Sequence, residues 1–151
     1  MGDTLKYLVS VLNNEGPFDG FLAFSQGSYI VRAFLQVLQS SGFDEPLKHD
    51  PPRFVMFYSS TWYLKRRYFD YRGKRFMMNE GLLRTPMIHI YGKNDHFQKV
   101  LRTHELFENA VCVMHEEGHK ITSNYTAEQQ ATIDRFILTQ INHQSRIQAK
   151  L

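Results

Sequence analysis

The sequence predicts an α/β fold with a mainly parallel sheet of about four strands and flanking helices. Four short apolar runs, each bounded by turn residues, alternate with stretches of helical periodicity, which is typical of parallel βαβ units. The 151 residues are 42% hydrophobic and 22% charged, the composition of a globular domain that buries one core. We therefore expect a single domain over residues 1–151.

The first half of the chain predicts two helices and two strands. Apolar residues recur at three- and four-residue spacing over 5–12, which predicts an amphipathic helix. The run 18–24 is short, apolar and bounded by turns, so it predicts a buried strand. Helical periodicity over 28–42 ends at a glycine, and 53–60 predicts a second strand. The stretch 61–85, rich in aromatic and basic residues, gives no clear pattern.

The second half continues the alternation. The segment 85–92 predicts a third strand, with a proline at its start, where a missing N–H is tolerated. The segment 97–110 has helical character, and 111–115 predicts a fourth strand. A last helix is predicted over 124–143, with isoleucine and phenylalanine on one face.

Charge and cysteine content narrow the class of protein. The net charge of +3 is too small to indicate nucleic acid as a partner. No apolar stretch reaches the roughly 18 residues that span a bilayer, and the N-terminus has no secretory signal pattern. Cys112 is the only cysteine, and its apolar neighbours predict a buried, unreactive thiol. We therefore expect a cytoplasmic, reducing compartment.

Three polar residues each follow a different predicted strand. Ser25 follows the first, Asp95 the third and His119 the fourth. Since functional groups gather at the carboxyl ends of parallel strands, these residues should meet at one sheet edge. Serine needs an imidazole to take its proton, and the imidazole needs a carboxylate to orient it. The order Ser…Asp…His is that of α/β-hydrolase triads.

The residues around Ser25 fit a nucleophile elbow. The pattern G-x-S-x-G is matched by Ala23-Phe24-Ser25-Gln26-Gly27, with alanine in place of the first glycine. The amide of Gln26, at the start of a helix, would point at a developing oxyanion. Taken singly, each residue also has a plain structural interpretation: Ser25 as a helix N-cap and Asp95 as a turn residue.

Three blocks of the chain resemble the FSH-type family of serine hydrolases within the α/β-hydrolase superfamily. These blocks are "NEGPFDGFLAFSQGS", "TPMIHIYGKNDHF" and "FENAVCVMHEEGHKI". The resemblance implies a partial α/β-hydrolase fold and a carboxylesterase that acts on small-molecule acyl esters, with nucleophile Ser25, acid Asp95 and base His119. The sequence also contains no visible metal-ligand cluster, phosphate-binding glycine loop or nucleotide motif, so we expect no metal and no cofactor. Glu117 departs from the family, which usually has Gly-Gly-His before the base.

The resemblance also implies that the domain is truncated at its N-terminal end. The chain begins at what resembles the helix before the elbow strand, so the half-sheet that supplies a second oxyanion amide is absent. The strand at 18–24 would then be an unpaired apolar edge, which is prone to aggregation. We expect a protein partner or a homodimer mate to cover it.

Two alternatives compete with an active esterase. The truncation also fits a catalytically inactive hydrolase-fold subunit of a larger assembly. The segment 65–75 interleaves basic and aromatic residues, a pattern that can bind single-stranded nucleic acid or an acidic protein surface, although a solvated loop explains it as well. An acyl pocket near the strand ends would be lined by Trp62, Tyr63 and Met77, residues that equally suit core packing.

Overall fold

The computed structural model describes residues 1–40, 42–60, 68–71, 73–77, 81–97 and 103–148. The first half of the chain folds into two helices and two strands: α1 (Gly2–Glu15), β1 (Gly20–Phe24), α2 (Gly27–Ser40) and β2 (Phe54–Tyr58). These elements lie where the sequence predicts them. The strands are shorter than the predicted ones because their ends turn into the connecting loops.

The second half adds four strands and a long helix. A hairpin of β3 (Tyr68–Tyr71) and β4 (Lys74–Met77) occupies part of the stretch 61–85, where no clear sequence pattern predicts an element. It is followed by β5 (Met87–Gly92), β6 (Ala110–His115) and α3 (Ala127–Gln148). The hairpin strands are antiparallel and form a separate two-stranded sheet.

The main sheet has four strands in the order β1-β2-β5-β6, and all neighbouring pairs are parallel. The register sets Phe24 opposite Tyr58, Tyr58 opposite Ile90, and Ile90 opposite Val113. The strand ends are therefore level, and the loops that follow them emerge at one edge. The predicted mainly parallel α/β sheet with flanking helices is confirmed.

Each face of the main sheet carries its own apolar cluster. One face packs Val55, Phe57 and Met87 against α1, α2 and the hairpin. The other packs the alternating residues of β2, β5 and β6 against α3, whose Ile133 and Phe136 are buried there. Residues of β2 are buried on both faces, as expected for an inner parallel strand.

The edge strand β1 is only half covered. It pairs with β2 through all five residues, and among the described residues no strand pairs with its other side. Leu22 and Phe24 lie on the α3 side of the sheet but stay exposed. As predicted, this strand lies at an edge of the sheet among the described residues. The sequence also predicts that the strand is buried, but its burial is incomplete.

Two local predictions are wrong. Within 97–110, the described residues 103–106 form a short 3₁₀ turn rather than an α-helix. Cys112 is exposed rather than buried, because it lies on the edge strand β6. Its thiol has a pKa raised by partial burial, which keeps it protonated and poorly reactive.

The basic and aromatic segment does not present its described rings to solvent. Phe69 and Tyr71 are buried in the core, and Phe69 stacks on Phe76 with ring centroids 5.2 Å apart. Asp70 forms an exposed ion pair with Arg75 at 3.0 Å. These contacts favour a folded hairpin over a stacking platform for bases. Residues 65–67 and 72 lie outside the described residues.

Among the helices of the described residues, none has the length and apolarity needed to cross a bilayer.

His89 is an ionisable group buried in the middle of the sheet. It is fully buried in β5, and neither ring nitrogen has a hydrogen-bond partner among the described residues. Burial, followed by electrostatic interactions with His104 and Arg32, lowers the pKa of His89 from 6.5 to about 3. Between these two pH values the unfolded chain binds a proton that the folded chain does not, so the free energy of unfolding rises with pH.

We expect His89→Leu to flatten this pH dependence. The variant loses less stability than the wild type as pH falls from 6.5 to 4, because it has no imidazole to protonate on unfolding; one differential proton corresponds to about 1.4 kcal/mol per pH unit. Urea unfolding at several pH values measures the difference. Met87→Leu in the same strand is the control, and it should keep the wild-type slope. A difference between His89→Leu and wild type that is constant over this range would contradict the prediction.

Candidate active site

Ser25 sits on a sharp turn between β1 and α2. Its backbone has φ of 50°, in the left-handed region that residues other than glycine seldom occupy. Its N–H donates to the Tyr58 carbonyl at 2.9 Å, so the neighbouring strand holds the turn in place. The side chain is thereby lifted off the end of the strand, as a nucleophile elbow requires.

Asp95 lies in the tight turn that follows β5. Its N–H donates to the Gly92 carbonyl at 3.2 Å, and its Oδ1 accepts the Phe97 N–H at 2.9 Å. The side chain is almost completely buried. One carboxylate oxygen is thus held by the backbone, which orients the other oxygen toward a partner.

His119 joins the two other residues. Its Nδ1 lies 2.7 Å from Asp95 Oδ2, and its Nε2 lies 2.8 Å from Ser25 Oγ. Ser25 and His119 are 94 positions apart in the chain, so only the folded sheet brings them together. The geometry gives one consistent set of donors: Nδ1–H donates to the carboxylate, and Nε2 accepts the serine hydroxyl proton.

Two loops are tied together to hold Asp95 and His119 side by side. Asn94 donates its N–H to the Glu117 carbonyl at 3.1 Å and its side-chain amide to the Glu116 carbonyl. Lys93 donates its N–H to the His115 carbonyl at 2.7 Å. These contacts join the loop after β5 to the loop after β6, so the carboxylate and the imidazole move as one unit.

The two acids before Gly118 both find lysine partners. Glu116 pairs with Lys93 at 3.1 Å, and Glu117 pairs with Lys120 at 2.8 Å. Hydrogen bonds from Lys120, Thr122 and Asn124 lower the pKa of Glu117 from 4.5 to about 2. The Glu117 carboxylate therefore braces the loop that carries His119.

Two aromatic side chains flank the imidazole. The ring of Phe24 lies 5.0 Å from that of His119, and the ring of Phe97 lies 4.8 Å from it. Phe24 is 38% exposed and Phe97 is 51% exposed. The hydrogen-bonded side chains of Ser25, Asp95 and His119 are thus bordered by exposed apolar surface that is accessible to a ligand.

Residues 1–131 match the family described as Serine hydrolase (FSH1). The chain belongs to this family. The match confirms the resemblance carried by the blocks around Ser25, Asp95 and His119.

Curated relatives agree with this family. The chain is 32% identical over 124 residues to Esterase OVCA2 of Bos taurus, a match that covers 79% of this chain and 49% of that protein. Esterase OVCA2 of Homo sapiens is 29% identical over 126 residues, with the same coverage. A Schizosaccharomyces pombe protein named Dihydrofolate reductase is 29% identical over 121 residues, which cover 78% of this chain and 25% of that protein. The chain thus spans about half the length of these esterases and a quarter of the third protein.

A solved structure supports the fold. The acyl-protein thioesterase 2 of Zea mays superposes with a TM-score of 0.56 and 12% identity, over 90% of this chain and 62% of that one. This similarity supports the α/β-hydrolase type of fold for this chain.

The other predicted site residues have different outcomes. Gln26 directly precedes α2, and the orientation of its amide toward an oxyanion stays a prediction. Trp62 and Tyr63 lie outside the described residues. Met77 is the last residue of β4, in the hairpin, and its place in a pocket also stays a prediction. Within the described ranges, no group of three or more histidine, cysteine or acidic residues could hold a metal ion.

Sequence reasoning missed Gly92, which the structure places against the His119 loop. A Cβ atom built on Gly92 would lie 2.2 Å from the Glu117 carbonyl oxygen and 2.4 Å from that of Gly118. Any side chain would therefore push the loop away. The glycine at the end of a strand was visible in the sequence, but the backbone that approaches it comes from a loop about 25 positions later.

We expect Gly92→Ala to displace His119 and to slow any reaction of Ser25. Overpacking of this kind costs about 1–3 kcal/mol of stability, and the displaced loop separates the imidazole from both partners. Thermal unfolding and the rate of Ser25 labelling by a fluorophosphonate measure the two effects. Gly2→Ala is the control, since an added Cβ there meets only an ordinary contact at 3.6 Å. A Gly92→Ala variant with wild-type labelling would contradict this account of the loop.

Proposed function

We propose that this chain is a serine carboxylesterase that uses Ser25 as nucleophile, His119 as base and Asp95 as the orienting acid. The observation that carries the proposal is the 2.8 Å contact of His119 Nε2 with the hydroxyl of a serine held at positive φ. Membership of the serine hydrolase family supports it. Residues 1–131 lie in that family, and we take 1–151 as one hydrolase domain, with the cytoplasm as its compartment.

The reaction follows from the positions of the three side chains. His119 takes the hydroxyl proton as Ser25 Oγ attacks the ester carbonyl carbon, and the imidazolium that forms is stabilised by Asp95. The oxyanion accepts the Gln26 N–H at the start of α2. As the tetrahedral intermediate collapses, His119 gives its proton to the leaving alcohol. Water, activated by the same imidazole, then releases the acyl group as a carboxylic acid and restores Ser25.

Apolar surface beside the triad supports an acyl ester as substrate. Phe24 and Phe97 flank His119 and are exposed, so an acyl chain bound near Ser25 Oγ would remove their rings from water. The mammalian relatives bear the name esterase, which agrees with this class of substrate. The chain spans about half the length of those proteins and contains Ser25, Asp95 and His119, the residues of the proposed site.

The expectation that a partner covers β1 stays a prediction. Its apolar Leu22 is 61% exposed on a strand whose outer side is unpaired among the described residues. A protein partner or a second copy of this chain that paired with this strand would remove the aggregation hazard.

We expect a fluorophosphonate probe to label the wild type at Ser25, and Ser25→Ala to remove the label. His119→Ala should reduce labelling to background, because the variant loses the imidazole nitrogen that accepts the hydroxyl proton. Asp95→Asn should slow it by several orders of magnitude, because the imidazole loses its orientation and its preferred tautomer. Intact mass spectrometry counts the labelled fraction. Ser10→Ala, in α1, is the control and should label as the wild type does.

A folded wild type that does not label would favour the inactive subunit. Circular dichroism establishes the fold independently, so absence of labelling in a folded chain refutes an activated Ser25. Equal labelling of wild type and Ser25→Ala would assign the reaction to another residue.

We expect Phe97→Ala to weaken the preference for longer acyl chains. Each methylene that leaves water against the ring is worth up to about 0.8 kcal/mol, so the loss of contact with about two methylenes should lower kcat/KM for octanoate about tenfold relative to acetate. A series of p-nitrophenyl esters measures the ratio. Leu82→Ala, another exposed apolar residue, should leave it unchanged. If both variants change the ratio equally, Phe97 does not contact the acyl chain.

A further inference from the structure

A line of buried hydroxyl groups runs behind the Ser25 backbone. Ser60 Oγ donates to Ser28 Oγ at 2.6 Å, and Ser28 Oγ donates to the Ser25 carbonyl oxygen at 2.6 Å. Thr103 Oγ1 donates to the Ser60 carbonyl at 3.4 Å. Ser28, Ser60 and Thr103 are all fully buried.

The Ser25 backbone needs such support. A non-glycine residue at positive φ is strained and persists only where its surroundings determine it. The Ser25 N–H is bound by Tyr58, and its carbonyl accepts both the N–H of Ser28 at 3.2 Å and the Ser28 hydroxyl. Both polar backbone groups of Ser25 are therefore occupied, and rotation of the turn would break these bonds together.

Ser60 sets the direction of the Ser28 hydroxyl. By donating to Ser28 Oγ, it occupies a lone pair there and leaves the Ser28 proton directed at the Ser25 carbonyl. Ser60 is itself held firmly, since the preceding Ser59 has φ of 45° and donates its N–H to the Ile90 carbonyl at 2.8 Å. The line thus links the ends of β2 and β5 to the turn at Ser25.

A bond from a helix serine to a carbonyl three residues earlier is common in the first turn of a helix. This local preference explains the hydrogen bond from Ser28 to Ser25. It does not explain the hydrogen bond from Ser60, which lies after another strand, 32 positions from Ser28. Buried hydroxyls are also costly where an apolar residue would pack equally well. The need to start helix α2 therefore does not by itself explain these hydrogen-bonded hydroxyl groups.

We propose that Ser28 and Ser60 are positioning residues that hold the Ser25 hydroxyl in line with His119. This inference rests on the proposed function, because it assigns these residues to the nucleophile of that reaction. They touch no substrate; they act through the Ser25 carbonyl. Loss of either hydroxyl lets the turn relax, so Ser25 Oγ spends less time within hydrogen-bond distance of His119 Nε2.

The test compares Ser60→Ala and Ser28→Ala with wild type in fluorophosphonate labelling and in ester hydrolysis. We expect the limiting labelling rate and kcat to fall about five- to tenfold, the equivalent of one hydrogen bond, with KM unchanged. Ser40→Ala is the matched control, since Ser40 lies in the same helix and its hydroxyl donates to the carbonyls of Gln36 and Val37 in that helix. It should react at the wild-type rate.

The double variant Ser28→Ala/Ser60→Ala tests the link itself. Because Ser60 acts through Ser28, the double variant should label at the rate of Ser28→Ala alone. A rate that is the product of the two single effects would overturn the link. Thermal unfolding of each variant separates folding from positioning: a lower Tm with unchanged kcat and labelling rate would overturn the proposal. Should Ser28→Ala not fold, Ser60→Ala, which leaves the Ser28 donor in place, decides the question.

The wild type distinguishes the two kinds of failure. If it labels and neither Ser28→Ala nor Ser60→Ala changes the rate, the positioning role fails alone. If the folded wild type does not label, the proposed function fails and the positioning role fails with it.

Discussion

Four parallel strands end level at one edge of the sheet, and the candidate triad depends on that alignment. Ser25 follows β1, Asp95 follows β5 and His119 follows β6, so the backbone ladder sets the spacing between their loops. Strand β2 lies between β1 and β5, and its Tyr58 carbonyl accepts the Ser25 N–H. A shift in the register of these strands would separate the three side chains, because each side chain follows the end of its own strand.

The loops that carry Asp95 and His119 form one structural unit. Gly92 admits the backbone of Glu117 and Gly118, and Asn94 binds that backbone in return. The acidic residues before His119 bind lysines, so their charges are directed along the loop surface. The relative position of Asp95 and His119 thus depends on close backbone contacts between the two loops, and a side chain at position 92 would disturb these contacts.

The interior near the strand ends is unusually polar. Ser28, Ser60 and Thr103 are buried and joined by hydrogen bonds, and His89 is buried nearer the middle of the sheet with no such partner among the described residues. Polar groups of this kind lower stability unless they are satisfied. Of these groups, the hydroxyls of Ser60 and Ser28 reach the strained Ser25 turn through hydrogen bonds.

Much of the fold was predictable because its signals are local. The apolar runs of β1, β2, β5 and β6 and the periodicity of the flanking helices depend on neighbours a few positions away. The hairpin over 68–77 was not predicted, because its aromatic residues face the core while its basic residues interrupt any simple alternation. The helix predicted over 97–110 was also wrong in its described part, where tertiary contacts produce a 3₁₀ turn.

The sequence alone predicted the family, the parallel sheet and the candidate site residues Ser25, Asp95 and His119, since short motifs after successive strands carry that information. That these three side chains lie within hydrogen-bond distance is visible only in the folded chain. The same holds for the contacts of Gly92, Ser28 and Ser60 near the site, and for the exposure of Phe24 and Phe97. The physical reason is that each of these features joins residues from different strand ends, and contacts between distant segments leave no local pattern in a single sequence.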